Sequence, residues 1–224
     1  LLAPAEPGAC ITAIGYADYT ASNGTVFPDA LGVSGRFYDS LDEDSTSFRT
    51  ALNYTFSNDV SGYVSYSRGF KAGSFPTLAA SVASQFTPAV QEQLDNYEIG
   101  IKATLDDGAA QVNAAVFYYD YTDKQLKTKL PVPPFGTLYT LKNADTATVI
   151  GAEVDFTWMA TDNLMLTGGA TYLSTEIDEF VGYTQSGVEA DFSGSAFPFS
   201  PKFSAILSAL YERELSEDYY LQVG

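Results

Sequence analysis

The sequence predicts an all-β fold, an antiparallel transmembrane β-barrel, of which about eight or nine long strands are present as a partial barrel. Three observations favour this fold. Apolar and polar residues alternate along segments of roughly ten residues, the connections between the segments are alternately short and long, and aromatic residues concentrate near the segment ends. Barrels of the outer membrane typically have short periplasmic turns, long extracellular loops and aromatic belts at both interfaces.

The alternation of connection lengths separates a barrel from a soluble β-sandwich, because the two ends of a sandwich are equivalent. The short connections are 57–59, 106–109, 159–163 and 212–218, and the long ones are 71–93, 123–146 and 175–200. Three of the short connections contain the pairs Asn58-Asp59, Asp107-Gly108 and Asp162-Asn163. Such pairs tolerate the positive φ angles of tight hairpins. We therefore place the turns at the periplasmic end and the long loops outside.

Strand positions follow from the alternation of side chains. Along 96–105, Ile99 and Ile101 point one way while Glu98 and Lys102 point the other, so one face suits lipid or a core and the other suits water. The same criterion predicts strands at 48–56, 60–70, 111–121, 148–158, 164–173 and 203–211, with a further strand from 219. It also predicts a set of lumen-facing residues: Arg49, Asn53, Glu98, Lys102, Asn113, Glu153 and Asp155.

Aromatic residues near the strand ends are predicted to form girdles at the depth of the lipid headgroups. They are Tyr63, Tyr66, Phe70, Tyr118, Tyr119, Tyr121, Phe156, Trp158, Tyr172, Tyr211, Tyr219 and Tyr220. Ordinary sheet packing is the alternative interpretation, because Tyr and Phe are enriched in strands of every kind. Their concentration at the ends favours the girdle.

Composition argues against several classes of function. The net charge of −17, from 28 acidic and 11 basic residues, repels phosphate backbones, so no nucleic-acid partner is expected. There is no His, and Cys10 is the single Cys, so we expect no ordinary zinc site, no Ser-His-Asp triad and no internal disulfide. We predict that the protein has no cofactor, no metal site and no enzymatic activity.

Two carboxylate-rich stretches have alternative interpretations. Glu153 and Asp155 share one face at i, i+2, which would suit acid–base chemistry, but in a barrel they would simply line the wet interior. The run 39–44 (DSLDED) is either solvated loop surface or a divalent-cation site. It lacks the Gly and the spaced Glu of a Ca²⁺ loop, so we prefer the loop surface.

The sequence contains no run of about 18 apolar residues, so no transmembrane helix is predicted. This criterion does not detect a β-barrel, because only alternate residues of its strands face lipid. We also expect the chain to be a fragment. Residues 1–10 lack the basic start of a signal peptide, and 219–224 stop inside an apparent strand.

Four segments resemble the barrel of TonB-dependent receptors and occur in the order of that family's motifs. They are 63–73 (YVSYSRGFKAG), 94–102 (LDNYEIGIK), 112–121 (VNAAVFYYDY) and 150–155 (IGAEVD). The resemblance covers residues 48–173 well, is weaker elsewhere, and is closest to receptors of the sphingomonad type. It implies that 1–224 form part of the receptor's β-barrel domain, with 1–47 mostly extracellular loop and 48–224 consecutive β-hairpins.

The resemblance also implies a function, which is TonB-dependent uptake of a scarce nutrient such as a ferric siderophore across the bacterial outer membrane. This chain would form part of the barrel wall, since the family barrel has roughly 22 strands. The implied partners are outer-membrane lipid, lipopolysaccharide, the small-molecule nutrient and the TonB energy-coupling complex. TonB would be reached through the family's plug domain, which is absent from this sequence.

We make a separate prediction for two basic residues at the outer end of the strand at 60–70. Arg68 and Lys71 are candidates for contact with an anionic ligand or with lipopolysaccharide phosphate. A salt bridge to a neighbouring loop is the alternative, given 28 carboxylates in the chain.

Two other functions stay open at this point, a complete small outer-membrane barrel with a structural or adhesive role and a secreted β-sandwich binding module. The sandwich requires Ile99, Ile101, Val154 and Phe156 to meet in a dry interior between two stacked sheets. The barrel requires the same residues to face outward.

Overall fold

The computed structural model describes residues 19–20, 26–27, 39–76, 86–131, 136–184, 186–216 and 219–224. Their regular structure is mainly β-strand, with a 3₁₀ turn at Asp106–Gly108. Within these ranges, no helix has the length and the apolar content that crossing a bilayer would require. Of residues 1–47, which were predicted to be mostly extracellular loop, the described ranges include only 19–20, 26–27 and 39–47.

Twelve strands are present in the described ranges, numbered here in chain order. They are β1 (Tyr19–Thr20), β2 (Val26–Phe27), β3 (Phe48–Thr55), β4 (Val60–Lys71), β5 (Glu92–Leu105), β6 (Ala110–Pro131), β7 (Thr137–Thr161), β8 (Leu164–Ile177), β9 (Val181–Tyr183), β10 (Glu189–Asp191), β11 (Phe203–Ser216) and β12 (Tyr219–Val223). Eight of them form one sheet in the order β12-β11-β8-β7-β6-β5-β4-β3, and β1-β2 and β9-β10 are separate two-stranded sheets.

Every neighbouring pair in the main sheet is antiparallel, so the sheet is a continuous meander. This confirms the predicted fold class of consecutive antiparallel hairpins. The short turns β3–β4, β5–β6, β7–β8 and β11–β12 lie at one end of the sheet, and the longer connections lie at the other. In the β5–β6 turn, Asp106, Asp107 and Gly108 have φ angles of 55°, 48° and 98°. The pairs Asn58-Asp59 and Asp162-Asn163 have no positive φ, so their turns need no left-handed residue.

One connection differs from its prediction. Residues 123–146 were expected to be a long loop, whereas β6 continues to Pro131 and β7 begins at Thr137. The two strands remain paired as far as Pro131 and Thr137, with Lys127 opposite Leu141. The two strands extend together because each supplies the ladder partners of the other.

The apolar face of the main sheet is exposed. Ile99, Ile101 and Val154 are 53%, 45% and 41% exposed, and no second sheet covers them in the described residues. The sandwich alternative, which required these residues in a dry interior, is therefore wrong. β3 and β12 form the two edges of the sheet and do not pair with each other, so the closed small barrel is not formed either.

The main buried cluster lies at the end of the sheet that carries the long connections. Ala144, Ile177 and Phe180 are buried together, and Leu126, Phe192 and Phe197 pack against them. The cluster joins the β6–β7 hairpin to the β8–β11 connection. Burial is thus concentrated outside the predicted membrane segment, as expected for a wall whose apolar side faces lipid.

Candidate functional site: the polar face and the extracellular end

The seven predicted lumen-facing residues all lie on one face of the sheet, called here the polar face. Cross-strand register places Lys102 opposite Asn113 and Asn113 opposite Asp155, while Asn53 and Glu153 belong to the adjacent row. The opposite face, called the apolar face, carries Ile99, Ile101, Val154 and Phe156 in the same ladders. Side-chain alternation alone produces this separation.

Hydrogen bonds connect the polar face across neighbouring strands. The Tyr63 hydroxyl donates to Glu98 Oε1 at 2.7 Å, and Asn113 Nδ2 donates to Asp155 Oδ2 at 2.7 Å. Arg49 Nη2 lies 3.5 Å from Ser65 Oγ, at the limit of a hydrogen bond. Asp155 is thus occupied by an amide donor, which suits a polar wall rather than acid–base chemistry. Among the described residues, no group of three or more His, Cys, Asp or Glu could hold a metal ion.

An aromatic column crosses the polar face along β6 towards the long-connection end. Phe117 stacks on Tyr119 with ring centroids 4.7 Å apart, Tyr119 lies 6.5 Å from Tyr121, and Tyr121 lies 6.1 Å from Phe197. The prediction that Tyr119 and Tyr121 belong to the lipid girdle is therefore wrong. They alternate with Tyr118 along the strand and point to the opposite face.

Tyr63 is a further correction to the predicted girdle, because it also belongs to the polar face. Its ring covers Gly100 on β5, where an added Cβ would collide with it. The ring of Phe117 covers Gly151 on β7 in the same way. At each glycine, the absence of a side chain leaves the space that the neighbouring aromatic ring occupies.

A row of aromatic residues crosses the apolar face near the same end of the sheet, and we call it the outer aromatic row. Ring centroids are 5.5 Å apart for Phe48 and Tyr66, 5.0 Å for Tyr66 and Tyr97, and 6.3 Å for Tyr97 and Tyr118. Trp158, the partner of Ala110, lies towards the other end. Eight residues separate Tyr118 from Ala110, about 27 Å along the strand, which matches a bilayer's apolar band once the strand is tilted.

Arg68 and Lys71 have different surroundings. Arg68 forms an ion pair with Asp95, Nε to Oδ1 at 2.7 Å, on the apolar face one row beyond Tyr66. Its partner is thus a residue of β5, not of a loop as the salt-bridge alternative supposed. Lys71, the last residue of β4, is exposed and lies opposite Glu92. A ligand or lipopolysaccharide role for the two residues stays a prediction.

The part of β6 and β7 beyond Asp123 is a feature that the sequence interpretation missed. Lys124, Lys127 and Lys129 lie on β6 and Lys142 lies on β7. Alternation does not predict this extension, because KQLKTK contains one apolar residue, Leu126, among five polar ones. Lys124 Nζ is 3.1 Å from Glu92 Oε1 and 4.0 Å from the Tyr121 ring centroid.

Polar contacts hold the extended hairpin against the β4–β5 connection. Gln125 Nε2 donates to the backbone oxygens of Ala72 and Val90 at 2.9 and 3.0 Å. Asn143 Oδ1 accepts from Val90 N at 2.9 Å. Because these bonds are to the backbone groups of Ala72 and Val90, they fix the backbone at the two ends of the connection.

Two further contacts involve Glu43, which precedes β3, and Thr128, which lies on β6 and contacts the β9–β10 hairpin. The Glu43 carboxylate accepts from Gly73 N at 2.8 Å and from Gln91 N at 2.6 Å, so it joins both ends of the β4–β5 connection. Thr128 Oγ1 accepts from Tyr183 N at 3.0 Å, which attaches the β9–β10 hairpin. One member of the acidic run 39–44 thus has a structural role.

A model of the family described as TonB dependent receptor-like, beta-barrel, matches residues 13–224. The ferrioxamine B receptor of Salmonella typhimurium is 29% identical over 132 residues, which are 59% of this chain and 17% of that protein. The ferrichrome outer membrane transporter/phage receptor of Escherichia coli K12 is 25% identical over 173 residues, 77% of this chain and 20% of that protein. These relatives are named as receptors or transporters, and the chain spans only 17% to 20% of their lengths.

Solved structures share the same fold. The crystal structure of the ferric yersiniabactin uptake receptor of Yersinia pestis superposes with a TM-score of 0.57 at 20% identity, over 78% of this chain and 24% of that one. The expected family is confirmed by the match to nearly the whole chain. The chain belongs to the TonB-dependent receptor-like β-barrel family, whose barrels are proteins of the Gram-negative outer membrane.

Proposed function

We propose that this chain forms part of the wall of a TonB-dependent receptor that takes up a ferric siderophore across the bacterial outer membrane. The observation that carries this proposal is the distribution of apolar and polar side chains between the two faces of the sheet. Its apolar face is exposed and bounded by the outer aromatic row, while the opposite face carries charged and amide side chains. A wall between lipid and a wet lumen requires this arrangement.

The polar face is the proposed lumen surface of the barrel. Residues 1–224 are proposed to form part of the receptor's β-barrel domain. Glu98, Lys102, Glu153 and Asp155 would face the lumen and its plug, and no covalent bond is made or broken in this role. Cross-strand hydrogen bonds such as Asn113 to Asp155 keep these side chains in place. The extracellular end, with the extended β6–β7 hairpin, would meet the substrate first.

The proposed partners follow from the two faces. Outer-membrane lipid and lipopolysaccharide would contact the apolar face. The ferric siderophore would enter from the extracellular end, and TonB would act through a plug domain. The curated relatives include receptors named for ferrioxamine B and ferrichrome, which supports an iron chelate as the substrate.

Uptake by the full-length receptor tests this proposal. The gene is expressed in a Gram-negative host that lacks its own siderophore receptors, and radioactive iron is supplied as hydroxamate and catecholate chelates. We expect accumulation of at least one chelate, and we expect it to disappear in an otherwise identical host without TonB. Uptake that persists unchanged without TonB, or no uptake of any ferric chelate, would contradict the proposal.

A further inference from the structure

One residue of β6 interrupts the regular backbone where the outer part of the β6–β7 hairpin begins. This outer part, called here the outer hairpin, consists of 124–131 and 137–144. Asp123 has a φ angle of 54°, and among the described residues that belong to strands it is the one with a positive φ. The ladder between β6 and β7 skips Asp123 and Asp145, although the residues on both sides are paired. A non-glycine residue keeps this conformation only where the surrounding structure enforces it.

Side-chain alternation inverts at Asp123. Before it, the odd-numbered Tyr119 and Tyr121 point to the polar face of β6, and the even-numbered Tyr118 points to the apolar face. A regular strand would therefore direct Lys124 to the apolar face. Instead, Lys124 Nζ lies 4.0 Å from the Tyr121 ring centroid, on the polar side. One left-handed residue thus exchanges the two sides of the strand.

Even-numbered residues of the outer hairpin stay on this exchanged side. Leu126 packs against the buried cluster that contains Phe180. Thr128 Oγ1 accepts a hydrogen bond from Tyr183 N at 3.0 Å. Both partners belong to 177–197, called here the covering segment, of which the structure describes every residue except 185. The inversion therefore determines which side of the outer hairpin contacts the covering segment.

The second strand of the hairpin changes sides at the same level. Ala147 lies opposite Tyr121 of the polar face, and Ala144 belongs to the buried cluster, and both alanines are completely buried. On a regular strand, residues three apart point to opposite faces. Between them, Asp145 N donates to Glu179 O at 3.3 Å, so β7 here replaces its β6 partner by the covering segment. Both strands of the hairpin thus change sides together.

Asn143 holds the interruption from the other side of the hairpin. Its Nδ2 donates to Asp123 O at 2.6 Å and to Val90 O at 3.1 Å, and its Oδ1 accepts from Val90 N at 2.9 Å. One amide therefore binds both the left-handed residue and the β4–β5 connection. These bonds fix the direction of the Asp123 carbonyl, which the β6–β7 ladder does not use.

The covering segment lies on the polar side of the outer hairpin. The ring of Phe197, which belongs to this segment, lies 6.1 Å from the ring of Tyr121 on the polar face. Lys127 is an exposed, odd-numbered residue on the side turned away from the covering segment. Without the inversion at Asp123, these two sides of the hairpin would be exchanged.

We propose that Asp123 and Asn143 form an alternation switch, which turns the outer hairpin inward and holds the covering segment over the lumen mouth of the free receptor. Asn143 acts as a positioning residue, through the Asp123 carbonyl. The identification of the polar face with the lumen rests on the proposed function. The switch itself depends only on the backbone conformation at Asp123 and on the contacts that hold it.

Four variants of the purified full-length receptor test the inference. Asp123→Val disfavours a positive φ because Val is β-branched, whereas Asp123→Gly permits a positive φ and removes the same carboxylate. Thr122→Val is the matched control, since it introduces the same β-branched side chain at a neighbouring residue that is paired regularly. Asn143→Ala removes the amide that binds the Asp123 carbonyl.

Two measurements report the state of the switch. Hydrogen exchange is followed at the Tyr183 amide, which donates to Thr128, and at the Val90 amide, which donates to Asn143. Electron spin resonance gives the distance between labels at Lys127→Cys and Val188→Cys in a background without native cysteines. Both label positions are exposed, one on the outer hairpin and one on the covering segment.

We expect Asp123→Val to accelerate exchange of the Tyr183 amide about ten-fold or more and to broaden the distance distribution, because Val disfavours the conformation that brings Thr128 to Tyr183. Asp123→Gly and Thr122→Val should stay within about three-fold of wild type and keep its distance distribution. Asn143→Ala should accelerate exchange at both Val90 and Tyr183, whereas a purely local role would accelerate exchange at Val90 alone.

Three results would overturn the inference. In the first, Asp123→Val matches Thr122→Val in both measurements, so the positive φ does not direct the hairpin. In the second, Asp123→Gly disrupts as much as Asp123→Val, so the carboxylate and not the backbone is responsible. In the third, Asn143→Ala leaves exchange at Tyr183 unchanged, a result that decides the matter even if Asp123→Val fails to fold.

Failure of the proposed function gives a different result. A receptor that takes up no ferric chelate but shows the expected exchange and distance pattern refutes siderophore uptake and leaves the alternation switch intact. Uptake that depends on TonB, together with any of the three contrary results, refutes the switch alone.

Discussion

The Arg68 guanidinium donates two parallel hydrogen bonds to the Asp95 carboxylate, Nε to Oδ1 at 2.7 Å and Nη2 to Oδ2 at 2.8 Å. The Tyr66 hydroxyl donates to the same Oδ1 at 2.6 Å. The three groups connect β4 to β5 just beyond the outer aromatic row. A bidentate pair of this kind fixes the register of two strands where they leave the apolar band.

Arg68→Lys should lower the midpoint of thermal unfolding of the full-length receptor, because a lysine amine cannot reproduce the two parallel hydrogen bonds. Asp95→Asn should have a similar effect, and the double variant should lose less than the sum of the two. Lys71→Gln is the control, since its side chain is exposed. Full additivity of the two changes would show that the pair contributes no stability.

A charge on the apolar face should be costly. Ile99→Lys places an amine where Ile99 is 53% exposed to the proposed lipid phase, and we expect it to lower the free energy of unfolding by about 2–4 kcal/mol in vesicles. Asn113→Lys, on the polar face beside Asp155, should cost under about 1 kcal/mol. Equal costs for the two variants, measured by denaturant titration of vesicle-bound receptor, would be incompatible with a lipid-facing Ile99.

Substitution of Gly151 by a residue with a side chain should lower the stability of the protein. A Cβ at this position would collide with the Phe117 ring, so Gly151→Ala should cost about 1–3 kcal/mol of stability through overpacking. Gly69→Ala is the matched control, since no atom lies within 4 Å of the added Cβ. Removal of the ring by Phe117→Ala should reduce the cost of Gly151→Ala, leaving only the contact with Leu173 Cδ2, which would lie 2.9 Å from the added Cβ. An unchanged cost in the double variant would show that the Phe117 ring is not the cause.

Phe180 should stabilise the β9–β10 hairpin without stabilising the whole sheet. Phe180→Ala removes a side chain that is 8% exposed, and the free energy of local opening should fall by up to about 3 kcal/mol. Hydrogen exchange of 181–191 should accelerate, while that of β5 stays unchanged. Phe199→Ala is the control, because Phe199 is fully exposed.

Glu43 should order the β4–β5 connection. Glu43→Ala removes the acceptor of the Gly73 and Gln91 N–H groups, and these two amides should exchange faster by a factor corresponding to about 2 kcal/mol. Asp44→Ala, at the exposed neighbouring position, should leave both rates unchanged. Equal rates in both variants and in wild type would show that the connection is ordered by other contacts.

Much of the wall could be predicted from alternation, and one error shows the limit of that signal. Ile99 and Glu98 were placed on opposite faces correctly. Tyr118 and Tyr119 were both assigned to the girdle, although adjacent residues of a strand must point to opposite faces. The alternation contained the answer, but the concentration of aromatic residues at the strand end concealed it.

The sequence by itself determined which side chains share a face and where the short turns lie, because both depend on residues that are neighbours along the chain. Only the tertiary structure decided how far β6 and β7 extend, which residue pairs with Arg68, and what Glu43 does. These outcomes depend on contacts between distant parts of the chain, such as Lys124 with Glu92 and Phe180 with Ala144. A sequence pattern records which groups need partners, and only the folded chain brings a particular partner within reach.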